Sequence, residues 1–210
     1  MSTEAAYFEE MYRSSADPWH LAERWYEQRK YAQTVAALPE RRYRSGFEPG
    51  CSVGQLTLLL AERCDALLSC DRTASAVATA TAATADLPHV TVARMAVPSA
   101  WPQGTFDLIV LSELLYYFDR AERVTLLDRS VASLEPGGTL VTVHWNHPVA
   151  EHHGTGHVVA AELAERSGLT LLADHREKDF TLQVHLRDRP GGRAAETPAE
   201  REGLTPGTGR

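Results

Sequence analysis

The 210-residue chain contains no run of about 18 apolar residues, which excludes a membrane-spanning helix. Clustered cations are missing as well. The net charge is −7, from 21 Lys and Arg against 28 Asp and Glu, and no basic stripe is present. Nucleic-acid phosphates are held by clustered Lys and Arg, so this argues against DNA or structured RNA and favours a small-molecule acceptor. Cysteine is scarce. Cys51, Cys64 and Cys70 are odd in number and lack the pair spacing of a metal site, which points to a reducing, cytoplasmic setting. The start, Met1-Ser2-Thr3-Glu4, lacks the basic region and apolar core of a secretory signal, so none is expected. No internal repeat is visible. The length suits one α/β domain with a short appendage.

One stretch organises the rest: Phe47-Glu48-Pro49-Gly50-Cys51-Ser52-Val53-Gly54, followed by Gln55-Leu56-Thr57-Leu58-Leu59-Leu60. A short strand runs into a glycine turn, and the turn runs into a helix. Open α/β sheets build nucleotide sites this way, at the carboxyl end of the first strand. Gly50 permits the sharp turn, and Gly54 is expected to let the helix start pack close to the strand. The next apolar run, 66–70, ends at Asp71, placed to accept hydrogen bonds from two ribose hydroxyls, with Arg72 beside it. A dinucleotide loop needs Gly-x-Gly-x-x-Gly, yet Ser52 and Gln55 occupy the second and third glycine positions. Glu48 would repel a pyrophosphate but attract the ammonium of a methionyl tail. The loop therefore reads as a site for S-adenosylmethionine rather than NAD.

Helices are expected at about 3–13 and 24–38, with Pro39 ending the second. They precede the sheet and either cover the cofactor or pack on the sheet edge; Trp19 beside Pro18 favours covering. Strands are expected at 45–49, 66–71, 89–93, 106–111, 139–143, 169–174 and 179–187. Helices are expected at 54–63, 73–85 (with Thr73 as a cap), 120–133 and 155–166. Glu135-Pro136-Gly137-Gly138 reads as a turn. The short polar link between the last two strands makes them antiparallel neighbours. The fold class is thus α/β: a Rossmann-like, seven-stranded, mostly parallel sheet with helices on both faces, the last strand antiparallel, and an N-terminal helical lid. The chain divides into a lid at 1–40, a main domain at 41–187 and a tail at 188–210, poor in apolar residues and expected to be disordered.

Ligands of such sheets lie beyond the carboxyl ends of the strands. Strand three ends at Arg94-Met95-Ala96-Val97, against an adenine. Strand four ends at Ser112-Glu113-Leu114-Leu115-Tyr116-Tyr117, near the methionyl tail and the reactive sulfur. Strand five ends at His144-Trp145-Asn146-His147, a polar and aromatic lining for an acceptor. Glu113 reads as a base or as a group that orients ligands; Tyr116 and Tyr117 read as acceptor contacts or half-buried packing. Five histidines, at 144, 147, 152, 153 and 157, open the question of a metal. No Cys or Asp joins them, and acceptor or surface roles are favoured over a metal.

The order of these segments resembles the class I S-adenosylmethionine-dependent methyltransferases. Their first motif, acidic-x-Gly-x-Gly-x-Gly, is present with Ser52 for the middle glycine. Asp17-Pro18-Trp19, Tyr26-Glu27-Gln28-Arg29-Lys30-Tyr31, Phe47-Glu48-Pro49-Gly50-Cys51 and Ser112-Glu113-Leu114-Leu115-Tyr116-Tyr117 are together similar to the nodulation protein S (NodS-like) branch, over roughly residues 7–187. The resemblance implies N-methylation of an amino group, in the namesake on a deacetylated chitooligosaccharide. It also implies N-terminal helices folded over the cofactor, with Trp19 and Arg29 near it. Ala96 departs from the pattern, because many relatives carry an acidic residue there for the adenine amino group. Adenine would then rely on backbone groups, Met95 and Val97. The reading is methyl transfer from S-adenosylmethionine to a small, amine-bearing, sugar- or glycoside-like metabolite. Glu113, Tyr117 and His144 are the candidates to take the acceptor proton. O-methylation of a hydroxylated metabolite, with His144 as base, and cofactor binding without catalysis are the alternatives. The acceptor's identity and the oligomeric state stay open.

Overall fold

The structure, a computed structural model, describes residues 2–205. Two helices come first, α1 (Ala5–Ser14) and α2 (Trp25–Ala36). The alternating part follows as β1 (Gly46–Pro49), α3 (Gln55–Ala61), β2 (Leu67–Asp71), α4 (Ala74–Ala83), β3 (Val90–Arg94) and β4 (Phe106–Ser112). Then come α5 (Arg120–Ser133), β5 (Leu134–Trp145), α6 (Gly156–Ala164), β6 (Leu169–Arg176), β7 (Phe180–Arg187) and a short α7 (Pro198–Arg201).

The seven strands form one sheet in the order β3-β2-β1-β4-β5-β7-β6. The five strands from β3 to β5 pair in parallel. β7 runs antiparallel to both β5 and β6. Continuous apolar strands need cover on both faces, and the packing supplies it. Along β4, Leu108 and Val110 join Leu56 and Leu60 of α3 on one face. Ile109 and Leu111 join Leu126 and Leu127 of α5 on the other. Each alternate side chain thus has its own core. The order of connection reverses between β1 and β4, and that switch point opens a crevice at the carboxyl ends of the strands.

Several local expectations are corrected. The turn at 135–138 belongs to β5, which starts at Leu134. A register shift between Phe106 and Leu108 of β4 absorbs the irregularity. β5 also runs on to Trp145, because β7 pairs with it as far as His144↔Thr181 and Trp145↔Phe180. Thr73 stands before α4 without capping it; its hydroxyl bonds Asp71 instead. Asp119 and Thr155 do cap, for α5 and α6. Gly54, at φ +83, leaves room for Ala80 of α4, 3.1 Å from where a Cβ would sit, so the close approach is helix to helix. The tail differs from the expected disorder over its described part. Arg189 and Arg193 form a bridge, Ala195 is buried, α7 has a Thr197/Glu200 capping box, and Arg201 pairs with Glu40. Met1 and residues 206–210, parts of the N-terminal and tail readings, lie outside the described residues. Among the described residues no helix is long and apolar enough to cross a membrane.

Candidate active site

The crevice between β1 and β4 widens into a cleft of about 1090 Å³, counting its open mouth. Its floor is the ends of β1, β2 and β4. Phe8, Tyr12, Trp19, Lys30 and Tyr31 from the N-terminal helices and their link form the facing wall. The glycine turn sets one end. Gly50 has φ +80, and a Cβ there would meet Leu114 at 2.9 Å, so both conformation and space require glycine. Ser52 also has positive φ, at 50°, and its hydroxyl shares a hydrogen bond with the Tyr12 phenol.

Two carboxylates sit on this floor. Asp71 Oδ2 accepts from the Ser52 backbone N–H at 3.2 Å, and Oδ1 accepts from the Thr73 N–H at 2.9 Å and from its hydroxyl. These bonds hold the carboxylate at the tip of β2. Glu48 is buried, and Thr57 Oγ1 (2.6 Å) and Ser69 Oγ (2.7 Å) both donate to its Oε2. Burial pushes its pKa up to about 7, against the pull of the two hydroxyls.

A second cluster occupies the end of β4. Glu113 adopts φ 51, a left-handed conformation disfavoured for a residue with a Cβ, while its N–H donates to the Val143 carbonyl at 2.7 Å. Such strain concentrates at functional sites. Glu113 Oε1 accepts from Lys30 Nζ at 3.1 Å, and Oε2 accepts from the Tyr116 hydroxyl. The Lys30 side chain is 2% exposed, and its Nζ also lies 2.9 Å from Glu27 Oε2 and 5.0 Å from the Tyr26 ring centre. Burial, reinforced by the Glu113 charge for Tyr116 and by Tyr7 for Tyr117, pushes both phenols well above the ordinary tyrosine value. Both stay protonated rather than serving as bases, and Tyr116 donates its proton to the Glu113 hydrogen bond.

Of the candidate residues from the sequence, Trp19, Glu48, Gly50, Cys51, Asp71, Arg72, Met95, Ser112, Glu113 and Tyr117 line this one cleft. Four expected residues do not line it. Arg29 points away, its guanidinium bonded to Glu177 at 2.8 and 2.6 Å. Its helix neighbour Lys30 faces inward instead. Gly54 serves helix packing. The Ala96 carbonyl is engaged within its own turn by Ala100 N–H (2.9 Å) and Ser99 Oγ (2.7 Å). His144 is 1% exposed, and its Nε2 accepts the Leu115 backbone N–H at 3.0 Å. Burial, helped by the Lys30 and Arg123 charges, pushes its pKa down to about 3. A nitrogen already engaged and so hard to protonate is no base for an acceptor. His147 bonds Asp179 at 2.7 Å, and His152 stacks on Tyr116 with ring centres 3.9 Å apart. Among the described residues no His, Cys, Asp and Glu group gathers to hold a metal. Lys30, Tyr12 and Phe8 were missed as lining residues. The legible signal for Lys30 was Glu27 three residues before it, on one helix face with Tyr31 beside it.

A glycine turn, a braced carboxylate at the tip of β2, apolar Met95 and Val97, and a buried carboxylate beside the turn fit S-adenosylmethionine. Glu48 in particular has Oε1 left for an ammonium, since both its bonds go to Oε2. The decisive finding is a family match: the model for nodulation protein S (NodS) fits residues 8–182. The chain belongs to the NodS family. With it, the chain is placed among the S-adenosylmethionine-dependent methyltransferases. The nodulation protein S of Rhizobium tropici is 30% identical over 177 residues, covering 79% of this chain and 74% of its own. The N-methyltransferase NodS of Bradyrhizobium japonicum WM9, solved with S-adenosyl-L-homocysteine, superposes with a TM-score of 0.76. It is 25% identical and covers 87% of this chain and 98% of its own. A protein of Pseudomonas syringae classed as a methyltransferase is 48% identical, with a TM-score of 0.69, over 78% of this chain and 100% of its own. The matched residues of this NodS-family chain include the Glu48-to-Gly54 turn, most of α1 and all of α2.

Proposed function

We propose that this NodS-family chain methylates the amino group of a small, sugar- or glycoside-like metabolite in the cytoplasm, with no nucleic acid involved. S-adenosylmethionine supplies a methyl group on a sulfonium, which leaves by in-line displacement. The protein's task is then to align donor and acceptor and to keep water out. The Gly50–Ser52 turn, Asp71, Glu48, Met95 and Val97 hold the donor, and α1 and α2 close over it. Trp19 and Arg72 complete that side.

The observation that carries the reading is the Glu113 cluster at the other end of the same cleft. Glu27, Lys30 and Glu113 together carry one net negative charge, suited to one ammonium. Glu113 receives the amine, orients its lone pair and takes up the proton it sheds. A neutral amine already carries its lone pair and attacks as the S–CH3 bond breaks; the methylated ammonium then passes its proton to Glu113, so no stronger base is needed. A hydroxyl does need one. The withdrawal of His144 into the core and the raised phenol pKa values therefore weigh against O-methylation.

The test is turnover with a panel of amino sugars and other small amines, each matched to its N-acetylated form, with S-adenosylhomocysteine as readout. Product should appear with the free amines and not with the acetylated partners. Turnover of both members of a pair would indicate O-methylation. Cofactor binding without turnover on any amine would return the non-catalytic reading.

A further inference from the structure

We infer that Lys30 is a positioning residue: it fixes the carboxylate of Glu113 for the incoming amine. The inference rests on the reading that Glu113 receives the acceptor. An ammonium only 2% exposed is costly to bury unless it is paired. A methionine could fill the same space on α2 without that cost. The charge instead joins two carboxylates from distant parts of the chain. Glu27 lies one turn back on the same helix, 2.9 Å away, and Glu113 lies at the end of β4, 3.1 Å away.

The geometry defines the direction of action. Glu113 carries its carboxylate on a flexible two-carbon stem that lines the cleft. Lys30 takes Oε1 and the Tyr116 hydroxyl takes Oε2, so the plane of the carboxylate is set by two donors on different elements. Tyr116 is itself held by the stacked ring of His152. Glu27 keeps the ammonium from swinging away, and the Tyr26 ring closes a third side. Lys30 is not a base. Burial works against its charge, but Glu113 and Glu27 outweigh burial and leave its pKa raised. It stays cationic and acts through Glu113.

The test is a double-mutant cycle with Lys30→Met, Glu113→Gln and the combined variant, with Lys30→Arg as the conservative control. For each, kcat and KM for an amino-sugar acceptor and the Kd for S-adenosylhomocysteine are measured. Lys30→Met should lower kcat/KM about 10- to 100-fold, the span of a hydrogen bond to a charged group. Cofactor affinity should stay within about twofold, and Lys30→Arg should recover most of the rate. In the Glu113→Gln background the same change should cost almost nothing, because partners acting as one unit are not additive. An undiminished loss in that background, or an equal loss in cofactor affinity, would overturn the inference. If Lys30→Met does not fold, Lys30→Gln enters the cycle in its place. If the wild-type protein methylates no amine, the functional reading has failed on its own account. The positioning role is then decided by a crystal structure of the Lys30→Met complex with S-adenosylhomocysteine. A displaced Glu113 carboxylate supports it, and an unmoved one overturns it.

Discussion

Glu48→Gln should change how stability and cofactor affinity depend on pH. In the folded protein burial raises the Glu48 pKa from 4.5 to about 7. Below about pH 4.5 the carboxyl is protonated in both the folded and the unfolded chain and has no effect. Above it, the unfolded chain releases the proton first, so the folded chain binds more protons and stability falls as pH rises. The decline ends near pH 7, where the folded group also ionises. The shift corresponds to roughly 3 kcal/mol across that window. Glutamine keeps the hydrogen-bonding shape and removes the titration. Urea denaturation at several pH values gives the difference between wild type and variant, which should change by a few kcal/mol between pH 4.5 and 7. Taking the difference matters, because the buried imidazoles of His144 and His185 act in the opposite direction. The cofactor's ammonium favours the ionised carboxylate. Affinity of the wild type for S-adenosylhomocysteine should therefore rise with pH up to about 7, with net proton release in calorimetry. Parallel curves for the two proteins, in stability and in binding, would refute the assignment of Glu48.

Other expectations follow from the same contacts. Asp71→Ala should weaken S-adenosylhomocysteine by about 1.5–3 kcal/mol in calorimetry, as expected for lost hydrogen bonds to a charged group; unchanged affinity would remove the ribose assignment. His144→Ala should cost about 1–3 kcal/mol in a urea melt, because the Leu115 N–H loses its acceptor. The variant should also lose the wild type's acid sensitivity between the ordinary pKa of 6.5 and about 3, while cofactor affinity holds. Arg123→Met should destabilise by about 3–5 kcal/mol. It leaves Glu162 without its two guanidinium bonds and frees the Phe118 and His153 carbonyls that Arg123 ties together. Equilibrium unfolding reads this directly, and a loss below about 1 kcal/mol would show that the buried cation is not structural.

The cleft floor at the ends of β1 and β2 was legible because its signals are local. A strand, a positive-φ glycine and a helix start are contiguous in sequence, and Asp71 ends the next apolar run. The facing wall and the ends of β4 and β5 depend on how distant elements face one another. Arg29 and Lys30 are adjacent cations, and only the rotation of α2 against the sheet sends Lys30 inward and Arg29 out to Glu177. The apolar run of strand five ends at Val143, which places His144 beyond the strand. Pairing with β7 extends β5 to Trp145 and carries His144 into the core. The Ser52 hydroxyl, seen as a lost glycine, meets Tyr12 of α1, a contact forty residues apart that no spacing rule signals. In the tail, the capping box and the Arg201–Glu40 pair hold the chain through polar contacts, which a low apolar content does not signal.

The central claim is methyl transfer onto nitrogen in this cleft. Its most direct test supplies S-adenosylmethionine labelled with carbon-13 on the methyl group, together with an amino-sugar acceptor, and locates the label by nuclear magnetic resonance. The account predicts an N-methyl signal, one S-adenosylhomocysteine per methyl transferred, and a rate lowered about 100-fold or more but still measurable in Glu113→Gln. A label on oxygen, or full-rate transfer by the Glu113→Gln protein, would contradict it.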